Sequence, residues 1–269
     1  MSTRRQQVGS YLLLTMFTAI VLLPVGWLVL TAVSPSSGGV DLSGFAPRNF
    51  AAAWTQAGFS HYLRASVVIA TAAVVATTFL SVLSGFAFGV LHVVGERLLF
   101  PLVLAGIMIP LEAIIVPLYF NFRSVQLTDS YLGLILAHTG LSVSFGTFWM
   151  RSTFRALPAG LVEAAEIDGA STRSVLWRIL VPVSRPAVLT LALLVFTWTW
   201  NDYFLALVLA GGSGAEPATL ALGTFQGRYA SQVNLLSAAA VLISVPVVVL
   251  YLFFQRQFIS GILSGALKD

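Results

Sequence analysis

The sequence has few charged residues and no cysteine. Only 9% of its 269 residues are charged, whereas a soluble domain carries about 25%, so the chain cannot cover a water-facing surface. Hydrophobic residues make up 58% of it, and the mean hydropathy is +0.91. Most of the chain must therefore face lipid or other apolar helices. The absence of cysteine excludes disulfides, thiolate metal sites and a cysteine nucleophile.

Lysine is almost absent as well. Of fourteen basic residues, thirteen are arginine and the only lysine is Lys268. A P-loop needs an internal lysine against the nucleotide phosphates and a Schiff-base enzyme needs one as its nucleophile, so both are excluded. His61, His92 and His138 lack metal-ligand spacing, which argues against a metal site and a membrane enzyme. We expect no cofactor in this chain and, because its charge of +4 is dispersed, no nucleic-acid partner.

Six apolar stretches are long enough to cross a bilayer, which takes about 20 helical residues. They predict an all-α integral membrane protein with six transmembrane helices. The stretches are Tyr11–Val33, the segment between Arg64 and Glu96, Leu98 to about Phe122, Tyr131–Met150, about Pro186 to Ala210, and Leu235–Phe254.

The first two stretches carry further signals. Tyr11–Val33 is longer than the roughly 7–15 apolar residues of a signal peptide, so we expect it to remain as a helix. Residues 34–60 are rich in Ser, Gly and Pro, which predicts an external linker. Small residues at four-residue spacing, Ser81, Gly85 and Gly89, give the second stretch a face for close helix packing.

The distribution of basic residues predicts that both chain ends are cytoplasmic. Cytoplasmic segments of membrane proteins carry an excess of Lys and Arg. With the N-terminus inside, ten basic residues lie on the cytoplasmic side and four lie outside. The four external residues are Arg48, Arg64, Arg123 and Arg228.

The longest cytoplasmic loop, residues 151–185, predicts two short helices along the membrane face. Pro158 suits the first turn of a helix because its missing N–H would be unpaired there, and Gly169 is a natural helix stop. Ser171 can cap a second helix, which we expect to end before Pro182. The small residues between Pro158 and Gly169 would let another protein's groove come close to the backbone. The acidic residues in the same stretch could pair with arginines of that protein.

The same loop resembles the signature loop of ABC import permeases. It reads Glu163-Ala164-Ala165, three residues, Gly169, nine residues, then Ile179-Leu180-Val181-Pro182, and it departs from the family pattern only at Val181, where leucine is usual. Segments around it resemble maltose-type carbohydrate permeases over roughly residues 60 to 265. These segments are Phe154–Pro158, Asp168–Ala170, Trp200–Asp202, Pro117–Tyr119, Tyr131–Leu136 and Phe253–Arg256.

This resemblance implies a type I ABC importer permease fold and a division of labour. The chain would pair with a second homologous permease as a heterodimer in a bacterial plasma membrane, above two ABC ATPase subunits that bind ATP and Mg. An extracytoplasmic sugar-binding protein or lipoprotein would deliver a sugar. Residues 1–60 would form a tail, first helix and linker, and residues 61–269 the five-helix permease core. Residues expected to couple to the ATPase are Glu163, Ala164, Ala165, Asp168, Gly169, Ala170, Ile179 and Pro182.

Polar residues inside the predicted spans are candidates for a substrate path. At about 1.5 Å per residue along straight helices, Glu112, His138 and the Asn201–Asp202 pair lie at similar depth in the outer half of the bilayer. They would line one external-facing cavity or bond to one another between helices. The substrate-path candidates are Glu112, Tyr119, His138, Asn201 and Asp202.

The last external loop, residues 211–234, has a glycine-rich tip that could enter a cleft of the binding protein. A plain flexible connection is the alternative. The contact candidates are Gly211, Gly212, Gly214, Thr219 and Leu220.

Two other transport functions remain open from the sequence. The first is an ABC permease for a solute other than a sugar. The second is a secondary transporter that couples to protons through Glu112, Asp202 and His138, although six spans without an inverted repeat argue against it.

Overall fold

The protein is helical, as a mostly apolar chain must be where the bilayer offers no partner to backbone groups. A computed structural model describes residues 4–91, 93–212, 214–227 and 232–266, and no strand occurs within these ranges. The helices are α1 (Arg4–Ala32), α2 (Arg48–Gln56), α3 (Phe59–Gly89), α4 (Glu96–Met108), α5 (Leu111–Ser124), α6 (Tyr131–Arg155), α7 (Ala159–Ile167), α8 (Thr172–Val183), α9 (Arg185–Asn201), α10 (Phe204–Leu209) and α11 (Val233–Ala266). A 3₁₀ helix, Ala218–Phe225, lies between α10 and α11.

Four of these helices are long and apolar enough to cross a membrane. They confirm the first, second, fourth and last apolar stretches as single helices. The spans are Gly9–Ala32, Phe59–Gly89, Tyr131–Arg155 and Val233–Gln255. Two bent pairs, α4 with α5 and α8 with α9, pass the same test together, so the described residues contain four to six candidate spans.

The expected straight third span is wrong. It consists of α4 and α5, whose axes differ by 98°. Ile109 is extended with ψ of 115°, because the ring of Pro110 disfavours a helical conformation in the residue before it. The depth that we assigned to Glu112 assumed a straight helix from Leu98 and no longer holds.

The expected continuous fifth span, from Pro186 to Ala210, is also wrong. Helix α9 ends at Asn201, Asp202 is extended with ψ of 131°, and α10 begins at Phe204. The carboxylate of Asp202 accepts hydrogen bonds from the N–H groups of Leu205 (3.4 Å) and Ala206 (3.1 Å). An aspartate that caps a new helix in this way favours an interruption at that point.

The chain divides into two compact units, and the first comprises residues 1–60 and 220–246. Its predicted linker contains a helix, α2, in place of plain loop. The amide of Asn49 donates to the carbonyls of Ala32 (2.9 Å) and Ser34 (2.8 Å), which satisfies groups left open at the end of α1. Nearly all side chains of α1 from Tyr11 to Leu30 are exposed, so α1 requires lipid or another protein around it.

The second unit comprises residues 61–219 and 247–269. Its core joins α3, α6, α7, α8 and α9 through the buried side chains of Val82, Phe86, Met150, Phe154, Ala165, Val175, Leu176, Leu180, Leu191 and Val195. A Cβ at Gly85 would lie 2.9 Å from the backbone nitrogen of Arg151, so only glycine permits this approach of α3 to α6. The predicted small-residue packing face of α3 is confirmed.

Candidate functional site

The loop after α6 folds into α7 and α8, with a left-handed glycine between them. Gly169 has a φ of +77°, which glycine adopts without the Cβ strain that other residues meet. The N–H of Gly169 donates to the carbonyl of Glu166 (3.0 Å), and that of Ala170 donates to the carbonyl of Ala165 (2.9 Å). These two bonds form a Schellman motif. The prediction that Gly169 ends this helix is confirmed.

The two sides of α7 differ in exposure. Ala165 is 7% exposed and packs in the core with Phe154 and Leu176, so its small side chain serves this chain's own packing. Ile167 on the opposite side is 86% exposed. The exposed residues in the second half of this helix and just after it are Glu163, Ala164, Glu166, Ile167, Asp168 and Gly169. The helix therefore presents an isoleucine and an alanine among three acids.

Helix α8 begins as predicted and ends later. The hydroxyl of Ser171 accepts from the N–H of Ser174 (3.3 Å), which confirms the predicted cap. The helix runs through Pro182 to Val183, so the expected end before Pro182 is wrong. A proline ring clashes with the carbonyl four residues earlier in an α-helix, but Val175–Leu180 is π-helical, so the backbone that leads into Pro182 is not a regular α-helix. Ile179 is half-buried.

Among the polar residues of the predicted spans, the structure brings His138 and Asp202 together. The distance from His138 Nε2 to Asp202 Oδ2 is 3.9 Å, with side chains 9% and 16% exposed. Because 3.9 Å exceeds hydrogen-bonding distance, the two side chains approach each other loosely, without a hydrogen bond. Asp202 uses its carboxylate chiefly to cap α10.

The remaining substrate-path candidates lie elsewhere. Glu112 is exposed in the first turn of α5. Asn201 is exposed, and its amide donates to the carbonyl of Thr197 in the same helix (2.8 Å). Tyr119 is half-buried, with its ring 5.5 Å from that of Phe120. Within the described residues, neither Glu112 nor Asn201 hydrogen-bonds to the histidine–aspartate pair.

The glycine-rich tip of the last external loop is tied to the turn before α6. The carboxylate of Asp129 accepts the N–H of Gly211, and the hydroxyl of Tyr131 donates to the carbonyl of Gly214 (3.0 Å). Gly211 and Gly212 remain exposed. Gly212 and Gly214 have φ of +122° and +90°, values that require glycine. Gly211, Gly212 and Gly214 thus have defined conformations.

The next described residues of this loop are held by hydrogen bonds to α3 and to Asp202. The N–H of Ala218 donates to the hydroxyl of Ser66 on α3 (2.7 Å). The hydroxyl of Thr219 donates to the carbonyl of Asp202 (2.7 Å). Thr219 is 7% exposed and Leu220 is half-buried. The exposed part of the predicted contact region is therefore the glycine tip.

A charged cluster that the sequence analysis did not single out lies at the end of α6. Glu96 Oε1 accepts from the guanidinium groups of Arg151 (2.6 Å) and Arg155 (2.7 Å). Arg151 Nε also donates to the carbonyl of Phe88 (3.1 Å), and its guanidinium carbon lies 3.8 Å from the ring centroid of Phe100. Partners more than fifty residues apart in the chain leave no signal in a single sequence.

These features define a helical membrane protein whose packed core carries a short exposed helix. The chain belongs to the family of binding-protein-dependent transport system inner membrane components, whose model matches residues 78–263. The expected membership of the ABC import permeases is thereby confirmed.

Two relatives and one solved structure extend this result. The osmoprotective compounds uptake permease protein GgtD of Synechocystis is 31% identical over 86% of this chain and 78% of its own. The trehalose transport system permease protein SugB of Mycobacterium tuberculosis is 30% identical over 94% and 95%. A crystal structure of a bacterial ABC transporter involved in the import of the acidic polysaccharide alginate aligns with a TM-score of 0.81 at 20% identity, covering 96% of this chain and 99% of that one. The fold is therefore that of an ABC importer permease.

Proposed function

We propose that this chain is the membrane subunit of an ATP-driven importer and that α7 docks in a cleft of an ABC ATPase subunit. The observation that carries the proposal is that one side of α7 packs in the core and the other side is exposed. Ala165 anchors the helix in the core, while Ala164 and Ile167 face outward with acids around them. An apolar side chain ringed by carboxylates suits a partner cleft with an apolar floor and an arginine-rich rim. ATP and Mg would bind in the ATPase, because this chain lacks an internal lysine for a P-loop.

We assign six spans, with each bent pair forming one of them, and place both chain ends in the cytoplasm of a bacterial cell. This orientation puts α7 inside and the glycine tip outside. The excess of basic residues on the inner side supports it. Arg228 and Lys268, which contribute to that charge distribution, lie outside the described residues.

The proposed assembly contains this chain, a second homologous permease, two ATPase subunits and an external binding protein or lipoprotein. The exposed apolar surface of α1 supports contact with lipid or with the second permease. Gly211 and Gly212 are exposed, the N–H of Gly211 bonds Asp129, and the carbonyl of Gly214 bonds Tyr131. These bonds support a preformed contact for the binding protein. Glu112, Tyr119 and Asn201 are proposed to contact the solute, and the loosely paired His138 and Asp202 to line the same path and to separate when the helices around it move.

The proposed solute is a mono- or oligosaccharide. The named solute of SugB and the resemblance to maltose-type permeases support it. The name of GgtD, an osmoprotective compounds uptake permease, does not specify a sugar, and the alternative is a solute that is not a sugar. Uptake of radiolabelled trehalose and radiolabelled glycine betaine by cells with and without this gene separates the two. Uptake that depends on the gene and persists with a protonophore would argue against proton coupling.

The docking proposal is tested by Ala164→Arg, with Ala164→Ser as its matched control. The large side chain cannot enter a cleft that accepts alanine, so we expect the tagged permease to retain less than about a tenth of its ATPase subunits, as for loss of an interface hot spot. The serine variant should retain the parent amount. The measurement is the ATPase subunit recovered per permease after purification. Equal recovery for both variants would contradict the proposal.

A further inference from the structure

We propose that Glu96, Arg151 and Arg155 form a mechanical joint that carries movement of α7 to the bent pair of α4 and α5. This inference rests on the proposed docking of α7 to an ATPase subunit. We call these three residues the charge joint. Its role is positioning, because none of the three is expected to touch solute or nucleotide.

The charge joint fixes three helices at one point. Glu96 is the first residue of α4, and one of its oxygens receives both arginines of α6. Both arginines also donate to the carbonyl of Phe88 near the end of α3, at 3.1 Å and 3.4 Å. Carbonyl groups in the last turn of a helix lack intrahelical partners. The end of α3, the start of α4 and the end of α6 are therefore tied by charge-assisted bonds, which are stronger than neutral ones.

The Glu96–Arg151 part of the charge joint is also largely shielded from water. The side chains of Glu96 and Arg151 are 17% and 18% exposed, so salt screens their attraction only weakly. The guanidinium of Arg151 covers the ring of Phe100 on the second turn of α4, and this cation–π contact adds a second attachment between the helices. The rings of Phe88 and Phe100 lie 5.8 Å apart. The start of α4 cannot turn relative to α6 without breaking these contacts.

Helix α7 connects to the charge joint over a short distance. Arg155 is the last residue of α6, and three residues separate it from the start of α7. Ala165 of α7 packs in the same core as Met150 and Phe154, which lie in the last turns of α6. A displacement of α7 therefore moves the end of α6, and the charge joint passes that motion to α4.

The far end of α4 is where such motion would take effect. Helix α4 ends at the 98° bend around Ile109 and Pro110, and α5 follows with Glu112 and Val116 exposed on its surface. A helix held at one end and bent at the other is suited to hinge motion. The charge joint would thus determine whether α5 moves when the ATPase subunit moves α7.

The test uses a single engineered thiol, because the chain contains no cysteine of its own. Val116→Cys on α5 is labelled with a water-soluble maleimide in the complex with its ATPase subunits, with and without MgATP and orthovanadate. We expect trapping to change the labelling rate about threefold or more. Glu96→Gln should reduce this change to below about 1.5-fold, because α5 no longer follows α7. Arg97→Gln removes a neighbouring exposed charge and should leave the change as in the parent.

A second pair of variants keeps the test decisive if Glu96→Gln lowers the yield of complex. Arg155 is 42% exposed, so its replacement perturbs packing less. Arg155→Gln should diminish the labelling response, whereas Arg155→Lys retains the charge and should restore it in large part. A parent complex without a response, or a full response in both Glu96→Gln and Arg155→Gln, would overturn the charge joint.

Ala164→Arg in the same assay distinguishes a failure of the docking proposal from a failure of the charge joint. Loss of the response in Ala164→Arg, together with a full response in both Glu96→Gln and Arg155→Gln, overturns the charge joint and leaves docking intact. A full response in Ala164→Arg overturns docking and the charge joint with it. Loss of the response in Ala164→Arg and in Glu96→Gln, with Arg97→Gln unaffected, supports the two proposals together.

Discussion

Two side-chain contacts of α6 differ sharply in how closely they approach their partners. At one end, Arg151 and Arg155 lie 2.6 Å and 2.7 Å from Glu96. About 20 Å along the same helix, His138 lies 3.9 Å from Asp202. The first contact combines several charge-assisted bonds, and the second is a single loose approach to a carboxylate that is already bonded to backbone. A tight cluster holds helix ends together through a motion, whereas a loose pair can separate at little cost.

The largest expected effect comes from breaking the tight contact. Glu96→Ala leaves two arginines without their carboxylate, so we expect a loss of about 2–4 kcal/mol in stability, allowing for the partial exposure of Arg155. The measurement is the unfolding midpoint of the purified protein in detergent. Glu163→Ala, at an exposed acid on α7, is the control and should stay within about 0.5 kcal/mol of the parent. Equal shifts in both variants would remove the basis for calling Glu96 tightly held.

The long apolar helices of this fold could be predicted from sequence, because membrane spans need only length and hydropathy. Tyr131–Met150 was expected and Tyr131–Arg155 is found, and Leu235–Phe254 lies inside α11. The two interruptions could not be found by averaging hydropathy, since each depends on one or two residues. Pro110 and the Asn201–Asp202 pair were the available signals: a proline restricts the residue before it, and aspartate favours helix starts.

The region around α7 likewise contains features that could be predicted from sequence and features that could not. Gly169 and Ser171 were predicted in their positions, because local backbone chemistry decides helix ends. The π-helical turn was not, since Val175–Leu180 contains ordinary helix formers and its shape arises from tertiary packing. Burial of Ala165 and exposure of Ala164 likewise follow from which side of α7 meets the core.

We expect an intermediate loss of stability at Asp202, where two substitutions separate the helix cap from the negative charge. Asp202→Ala removes the acceptor for two N–H groups of α10, so we expect a loss of about 1–2 kcal/mol in the same unfolding assay. Leu205 and Ala206 bond to different oxygens of Asp202, and Asn has one acceptor oxygen, so Asp202→Asn should keep one bond and lose about half of that amount. Asn201→Ala, which removes one bond at an exposed position, is the control. Equal losses for Asp202→Asn and Asp202→Ala would show that the charge toward His138 matters more than the cap.

The smallest effect is expected from the coupling between His138 and Asp202 themselves. At 3.9 Å the two side chains share no hydrogen bond, so a double-mutant cycle with His138→Gln and Asp202→Asn should give a coupling energy below about 0.5 kcal/mol. The matching cycle with Glu96→Gln and Arg155→Gln should exceed about 1 kcal/mol. Each cycle needs four unfolding midpoints measured under one condition. A coupling energy for the His138–Asp202 pair that exceeds that of the Glu96–Arg155 pair would reverse the contrast between the two contacts on α6.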